Sequence, residues 1–285
     1  MPVKERIHYL DAIKGMAMLM VIVYHTHLFP EIYVAPFLSP CVPLFFCVNG
    51  FLTLRKAQDY TGVLKKAFRL LSLVVFWSII CVGTYSFCRD DSVELQTFKS
   101  YILFPEEPYN VHLWFLYAII GLLLISPAVK AAISIEKKSL IGVLIILVVF
   151  TFQGIRSYIS PYCDFFNFAT AFSLVYFIAG FLLFSNVFNL ERIRSLYIWL
   201  AFAFCVVFQY GHNFLATLPS FERVFTQGSP VFAGYNTIFT LITTLAVASL
   251  FKRTQNTPPP ATLVWREQPG CIFDSLPHHE MFGVC

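Results

Sequence analysis

A lysine and a histidine, Lys14 and His25, stand eleven residues apart inside the first apolar stretch of the chain. In an α-helix, eleven steps of 100° leave two side chains about 20° apart in azimuth and roughly 16 Å apart along the axis. A charged side chain within an apolar span costs on the order of 3 kcal/mol and usually faces a protein interior or a water-filled cavity. The pair is therefore a candidate functional site.

The two side chains suit different steps of a reaction. A histidine can take a proton from a hydroxyl group near neutral pH, and a lysine can attract a phosphate group as a point charge. Asp11 lies one helical turn before Lys14, where it is placed to neutralise the lysine. The alternative is a structural role, in which Lys14 snorkels to the headgroups, His25 caps the interface and Asp11 forms an interfacial salt bridge.

The composition indicates a polytopic membrane protein with one membrane domain. Of its 285 residues, 58% are hydrophobic and 13% are charged, against about 25% charged residues in typical soluble domains. The mean hydropathy is +0.69. Eight apolar segments have about the 17 to 25 residues that a bilayer requires, and we expect an all-α helix bundle with about eight transmembrane helices, at 10–29, 38–54, 68–88, 112–129, 138–153, 166–188, 195–215 and 231–251.

The basic residues predict the orientation of this bundle. With a cytoplasmic N-terminus, fifteen of the twenty Lys and Arg residues fall in cytoplasmic segments, as expected for short loops of membrane proteins. This bias accounts for the net charge of +4, so no nucleic-acid partner is expected. The apolar segments and this charge bias together predict a multi-pass protein of the cell (inner) membrane. Lys14 would then lie near the cytoplasmic end of the first helix and His25 near its outer end.

Polar and aromatic side chains gather toward what we predict to be the outer halves of the other spans, where a polar cavity would satisfy them. Trp114 and Tyr117 are also explained as members of an interfacial aromatic belt, and His212 as an interfacial histidine. The eight cysteines show no CxxC pair, and no metal site is expected. The set comprises Asn49, His112, Trp114, Tyr117, Gln209, Tyr210, His212, Asn213, Tyr235 and Asn236.

Three blocks of sequence occur in an order that is typical of one protein family. Residues 9–25 contain Leu-Asp, then a Lys-Gly pair, and a His after ten positions that follow the Lys. Residues 42–52 read Val-Pro-Leu-Phe-Phe-Cys-Val-Asn-Gly-Phe-Leu, and residues 112–117 read His-Leu-Trp-Phe-Leu-Tyr. Together these blocks resemble the signature of the integral-membrane acyltransferase family 3. Lys14 stands where that family more often has arginine, and Asn49 where it usually has serine.

The resemblance implies transfer of an acyl group, usually acetyl, from acetyl-CoA or another acyl-CoA as co-substrate. The acceptor would be a hydroxyl of a cell-surface or lipid-linked sugar, as in O-acetylation of polysaccharides. No bound cofactor is expected. In this account His25 is the general base or relays the acyl group itself, and the substrate-binding residues are Lys14, Asp11, Asn49, His112, Trp114 and Tyr117.

Two other classes of protein stay open at this point. A secondary transporter of an anionic solute would also place ionisable groups within the membrane, although no internal repeat is visible. A non-catalytic membrane assembly protein would use them only for packing. The acceptor, the length of the acyl chain and the oligomeric state are not determined by the sequence.

The sequence changes character after Leu250, where residues 254–260, Thr-Gln-Asn-Thr-Pro-Pro-Pro, open a stretch without helical periodicity. The resemblance implies further membrane helices there, one with a motif such as Asn-Ser-Leu-Gly-Val-Tyr-Leu-Ile-His. Suitable codons for residues 267–275 spell this motif when they are read one nucleotide later. We therefore expect a membrane domain over 1–251 with its C-terminal helices missing, and a non-native or disordered tail over 252–285.

The expected frameshift, in the gene or in its sequencing, lies between about Lys252 and Trp265. If the shift is real in the cell, the product is expected to be inactive or degraded. Its remaining helices would lack the partners against which they evolved to pack.

Overall fold

The computed structural model describes residues 7–26, 28, 30–56, 59–89, 114–135, 139–151, 169–216 and 237–254. Within these ranges the chain forms α-helices and one short 3₁₀ helix, Leu190–Arg192, and contains no strand. The predicted all-α class is confirmed. The α-helices are α1 (His8–His25), α2 (Glu31–Leu38), α3 (Cys41–Leu54), α4 (Tyr60–Arg89), α5 (Trp114–Ile135), α6 (Ser139–Thr151), α7 (Ala169–Phe184), α8 (Ser195–Ala216) and α9 (Ile238–Thr254).

The helix bounds differ most from the prediction around the second and third segments. The predicted helix 38–54 is preceded by α2, and a turn at Ser39 and Pro40 separates α2 from α3. The predicted helix 68–88 begins eight residues earlier, at Tyr60, and α4 is 30 residues long. The first turns of α4 contain charged residues, so this part of the helix does not stand out as an apolar segment in the sequence.

Part of the chain has the length and hydropathy of transmembrane helices. In the described ranges, three segments are long and apolar enough to cross a bilayer, namely Tyr33–Leu54, Trp114–Ile133 and Ser195–His212. Two shorter segments, Ser139–Val148 and Phe172–Phe184, are apolar helices as well. These helices indicate a membrane protein, while the number of eight spans and their orientation stay predictions.

The centre of the bundle is the crossing of α3 and α7, the most extensive helix pair in the part of the chain described. A Cβ atom built on Gly50 would lie 2.7 Å from the carbonyl carbon of Phe177, and one on Gly180 would lie 2.5 Å from that of Cys47. Small residues let helix backbones approach closely in membrane bundles, where van der Waals packing drives association. Glycine is therefore required at both positions.

One end of the bundle, which we call the basic end, joins the start of α1 to the ends of α3, α5 and α7. Lys130 of α5 donates a hydrogen bond to the backbone oxygen of Leu54, the last residue of α3. Tyr9 of α1 packs on Phe184, the last residue of α7, with ring centroids 5.7 Å apart. α1 therefore runs antiparallel to α3, α5 and α7.

The end of α9 also lies at the basic end, where two cations hold the connection between α7 and α8. The ammonium group of Lys252 donates to the backbone oxygen of Leu183 at 3.0 Å and lies 3.0 Å from a carboxylate oxygen of Glu191. Arg253 donates to the hydroxyl of Ser195 at 2.8 Å. These cations, predicted only as part of the positive-inside bias, have a specific structural role.

Aromatic rings fill the opposite end, which we call the aromatic end. Phe46 of α3, Trp114 of α5 and Phe172 of α7 form a cluster with ring centroids 5.8 to 6.3 Å apart. α2 is held to α8 at the same end, because the Tyr210 hydroxyl donates to the backbone oxygen of Tyr33. Contacts between large aromatic surfaces therefore supply much of the packing there.

Candidate functional site

Lys14 and His25 lie on the same uninterrupted helix, so their predicted alignment on one side of α1 holds. The stripe that α1 buries is formed by Leu10, Ile13 and Ala17. From their positions in the helix, Lys14 and His25 fall beside this stripe. His25 is exposed, and the Lys14 side chain is 40% exposed. Both groups are thus accessible on the packed structure.

Asp11 forms an ion pair with Lys14, with the ammonium nitrogen 4.0 Å from a carboxylate oxygen. Both side chains are about two-fifths exposed, and an ion pair this open to its surroundings contributes little to stability in water. The ion pair instead affects how strongly Lys14 attracts an anion. Any anion that binds Lys14 competes with Asp11 for the ammonium group.

A cavity of about 620 Å³ lies between α3, α4 and α5, and Phe177 of α7 completes its wall. Asn49 is one of the residues that line it. The side-chain amide of Asn49 donates one hydrogen bond, at 2.9 Å, to the backbone oxygen of Phe45. An amide side chain has two N–H donors and an acceptor oxygen, so this bond uses only part of its capacity. We expected Asn49 in the outer half of its span, but it lies in the second half of α3, nearer the basic end.

Three cations, Lys56, Lys66 and Arg69, and one carboxylate, Asp59, are among the described residues that line this cavity. We call the three cations the basic mouth. Lys56 comes from the turn after α3, and Lys66 and Arg69 are one turn apart on α4. The residues of α4 that line the cavity, 62, 63, 66, 69 and 70, follow the spacing of a single helix face. That spacing is a signal which the sequence reasoning missed, because it used these cations only for orientation.

Asp59 explains why α4 begins where it does. Its backbone oxygen accepts the N–H of Val63 at 3.0 Å, and its carboxylate accepts the hydroxyl of Thr61. The Thr61 hydroxyl, followed by backbone N–H groups, lowers the pKa of Asp59 below its ordinary value. The resulting stabilisation is present above the unfolded pKa of about 3.9 and is lost as the pH falls through the folded value.

Two of the predicted site residues, Trp114 and Tyr117, lie in the first turn of α5. Trp114 belongs to the aromatic cluster at the aromatic end, and Tyr117 forms a hydrogen bond with Ser78 of α4. His112 lies outside the described residues. The grouping of the predicted set into one site stays a prediction. Lys14 and His25 share α1, Asn49 lines the cavity, and Trp114 packs against other rings.

α8 and α9 pack against each other, and each of them buries polar side chains. α8 buries Gln209 and His212, which are 3% and 8% exposed. The face of α9 buries a row of threonines that the sequence reasoning missed, although their spacing by three and four residues marks one helix face. The side chain of Asn213 and residues Tyr235 and Asn236 lie outside the described part of the chain. The buried threonines are Thr237, Thr240, Thr243 and Thr244.

The fold and the site together define a helical membrane protein with an ionisable pair on α1 and a cavity with a cationic mouth between α3, α4 and α5. Residues 7–259 match a family described as an acyltransferase domain. No curated protein and no solved structure matches the chain. Because the matched region includes every described helix, the protein belongs to this acyltransferase family and is an acyltransferase by family.

Proposed function

We propose that this protein transfers an acyl group, acetyl by default, from acyl-CoA to a hydroxyl of a cell-surface or lipid-linked sugar at the inner membrane. One observation carries the proposal: the family match over 7–259 includes Lys14 and His25, and the continuous helix α1 aligns them on one side. Acceptor binding by His112, Trp114 and Tyr117 is part of this proposal. A contact between the Asn49 side chain and a substrate is also part of this proposal.

His25 acts as the general base in this mechanism. An imidazole nitrogen takes the proton from the acceptor hydroxyl as the hydroxyl oxygen attacks the thioester carbonyl carbon. The new C–O bond forms, the C–S bond breaks, and the thiolate of CoA leaves and receives the proton from the imidazolium. In the alternative, the acyl group moves first to His25 and then to the acceptor, in two transfers.

Lys14 binds the donor in this mechanism. The distance between Lys14 and His25 along α1, roughly 16 Å from the helical rise, is comparable with the length of an extended pantetheine arm. A donor phosphate at Lys14 would therefore bring the thioester near His25. The ion pair with Asp11 moderates the attraction of Lys14 for phosphate.

The proposal is tested by following labelled acetyl-CoA into membrane glycans. Two forms are expressed in membranes. One is the 285-residue chain, and the other has the downstream reading frame restored. His25→Ala is expected to lower transfer at least about 100-fold, because general-base catalysis contributes about 10²–10⁴-fold. Lys14→Ala is expected to raise the KM for the donor more than it lowers kcat.

His8→Ala is the matched control, since His8 is an exposed histidine at the start of the same helix. It is expected to leave transfer unchanged. Transfer by His25→Ala equal to that of the His8 control would remove His25 as the base, and no incorporation by either form of the parent chain would overturn the proposed function.

A further inference from the structure

The hydroxyl of Tyr210, near the end of α8, has no part in the mechanism above. It donates a hydrogen bond to the backbone oxygen of Tyr33 in α2. One turn later in α2, the ring of Phe37 packs on the ring of Tyr210, with centroids 5.8 Å apart, and on that of Phe202, with centroids 6.4 Å apart. These contacts join α2 to α8 at the aromatic end.

α2 is a helix that depends on its neighbours for its position. It has eight residues, whereas an isolated helix of fewer than about 12 to 15 residues is marginal in water. Pro36 within it has no backbone N–H, so one hydrogen bond of the helix is missing. In lipid, packing and interhelical hydrogen bonds select the neighbours of a helix. The bond from Tyr210 is a directional contact of this kind.

The position of α2 bears on the end of α1. Only residues 26–30 separate His25, the last residue of α1, from the first residue of α2, and the two helices pack against each other. Thr26 extends the hydrogen bonding of α1, since its N–H bonds to the oxygen of Ile22 at 3.0 Å and its hydroxyl to that of Val23 at 2.9 Å. A shift of α2 is therefore passed to the helix end that carries His25.

The proposed role of His25 requires this end to be held precisely. A displacement of about 1 Å caused by a change away from the chemistry can cost on the order of 100-fold in rate. The imidazole is exposed, and its ring lies 5.5 Å from that of Tyr24. Because Tyr24 belongs to the same helix, this contact moves with the end of α1 and does not hold it in place.

We propose that Tyr210 is a positioning residue for acyl transfer. Through Tyr33 it holds α2, and α2 in turn holds the end of α1 so that the His25 imidazole stays within reach of the acceptor hydroxyl. Tyr210 itself touches neither substrate. The positioning role rests on the proposed function, whereas the hold on α2 does not depend on it.

Hydrogen–deuterium exchange of the full chain in nanodiscs tests the hold on α2 without turnover. Tyr210→Phe removes the hydroxyl and keeps the ring. It is expected to raise the exchange rate of the α2 amides at least about threefold, because exchange reports local opening, and to leave the amides of α9 unchanged. Tyr197→Phe, at an exposed tyrosine of the same helix, is the matched control and is expected to leave both helices unchanged.

The transfer assay tests the positioning role in the form of the protein that transfers acetyl. Per folded protein, Tyr210→Phe is expected to lower kcat about tenfold through displacement of the base. The KM for acetyl-CoA is expected to change less than about twofold, because the donor is bound at Lys14, three turns from His25 on α1. Tyr197→Phe is expected to change neither constant.

A second background separates positioning from a general loss of structure. In His25→Ala, Tyr210→Phe is expected to lower the residual transfer less than about twofold, because no base is left to position and the two changes are not additive. A purely structural defect would lower transfer by the same factor in both backgrounds, and that result would overturn the positioning role. So would α2 amides that exchange equally in Tyr210→Phe and Tyr197→Phe.

The two arms also distinguish this inference from the proposed function. If the parent chain transfers no acetyl, the proposed function fails and the positioning role fails with it. The exchange measurement still decides whether Tyr210 holds α2. If the parent chain transfers acetyl and Tyr210→Phe has the kcat of the Tyr197 control, the proposed function stands and the positioning role is wrong.

Discussion

Lys252 has a structural role at the basic end of the bundle. Among the described residues it is the only buried lysine or arginine. It joins the end of α9 to Leu183 and to Glu191 at 3.0 Å each. Burying a charged group is costly unless it is paired and hydrogen-bonded, and the oxygens of Leu183 and Glu191 supply these partners.

Lys252→Met keeps the length of the side chain and removes its charge, leaving Glu191 and a backbone oxygen without this donor. We expect a loss of about 1 to 3 kcal/mol in stability, at the lower end because the Glu191 side chain is 37% exposed. Thermal unfolding in detergent measures the change. Lys65→Met, at an exposed site, is the control, and equal unfolding temperatures for the two variants would contradict the assigned role.

Lys14 and the basic mouth are separate groups of cations. Lys14 is paired with Asp11 on α1, whereas Lys66 and Arg69 line a cavity to which none of the described α1 residues contributes. A donor held at Lys14 would respond to Lys14→Ala in the transfer assay.

At the scale of elements, the crossing of α3 and α7 depends on two glycines at positions where no other side chain fits. Gly180→Ala would force a Cβ atom against the backbone of Cys47 in α3. We expect a loss of at least about 1 to 3 kcal/mol, the usual cost of overpacking, because backbone cannot move aside as a flexible side chain can.

Gly142→Ala in α6 is the matched control, since a Cβ atom there meets nothing within 4 Å. Alanine favours helix over glycine by up to about 1 kcal/mol, so this variant is expected to be as stable as the parent chain or more so. Folded yield by size-exclusion chromatography and the unfolding temperature distinguish the two. A Gly180→Ala variant as stable as Gly142→Ala would refute the close crossing.

At the scale of the whole molecule, we propose that the tail after α9 is translated out of frame. Support comes from Lys252 and Arg253, whose specific contacts with the connection between α7 and α8 indicate that the native reading frame extends at least through Arg253. Genomic sequencing decides the matter. We expect the codons of residues 267–275, read one nucleotide later, to spell Asn-Ser-Leu-Gly-Val-Tyr-Leu-Ile-His, and any other reading would end the proposal.

Much of the fold was predictable because its signals are local. Apolar segments of bilayer length predicted helices at or near α1, α3 to α9, and the resemblance predicted the acyltransferase family that the match over 7–259 shows. The early start of α4 was missed because hydropathy cannot detect a helix whose first turns carry Lys65 and Lys66. The cavity was missed because its walls come from four helices, namely α3, α4, α5 and, through Phe177, α7.

The sequence by itself determined the alignment of Lys14 with His25, because the angle between two residues of one helix depends only on the helical period. Tertiary structure decided what each helix face meets. It placed Asn49 in a cavity with α4 and α5, and it made Gly50 and Gly180 indispensable. The physical reason is that apolar helices gain no hydrophobic energy from one partner over another in lipid, so that close packing and polar contacts select their neighbours.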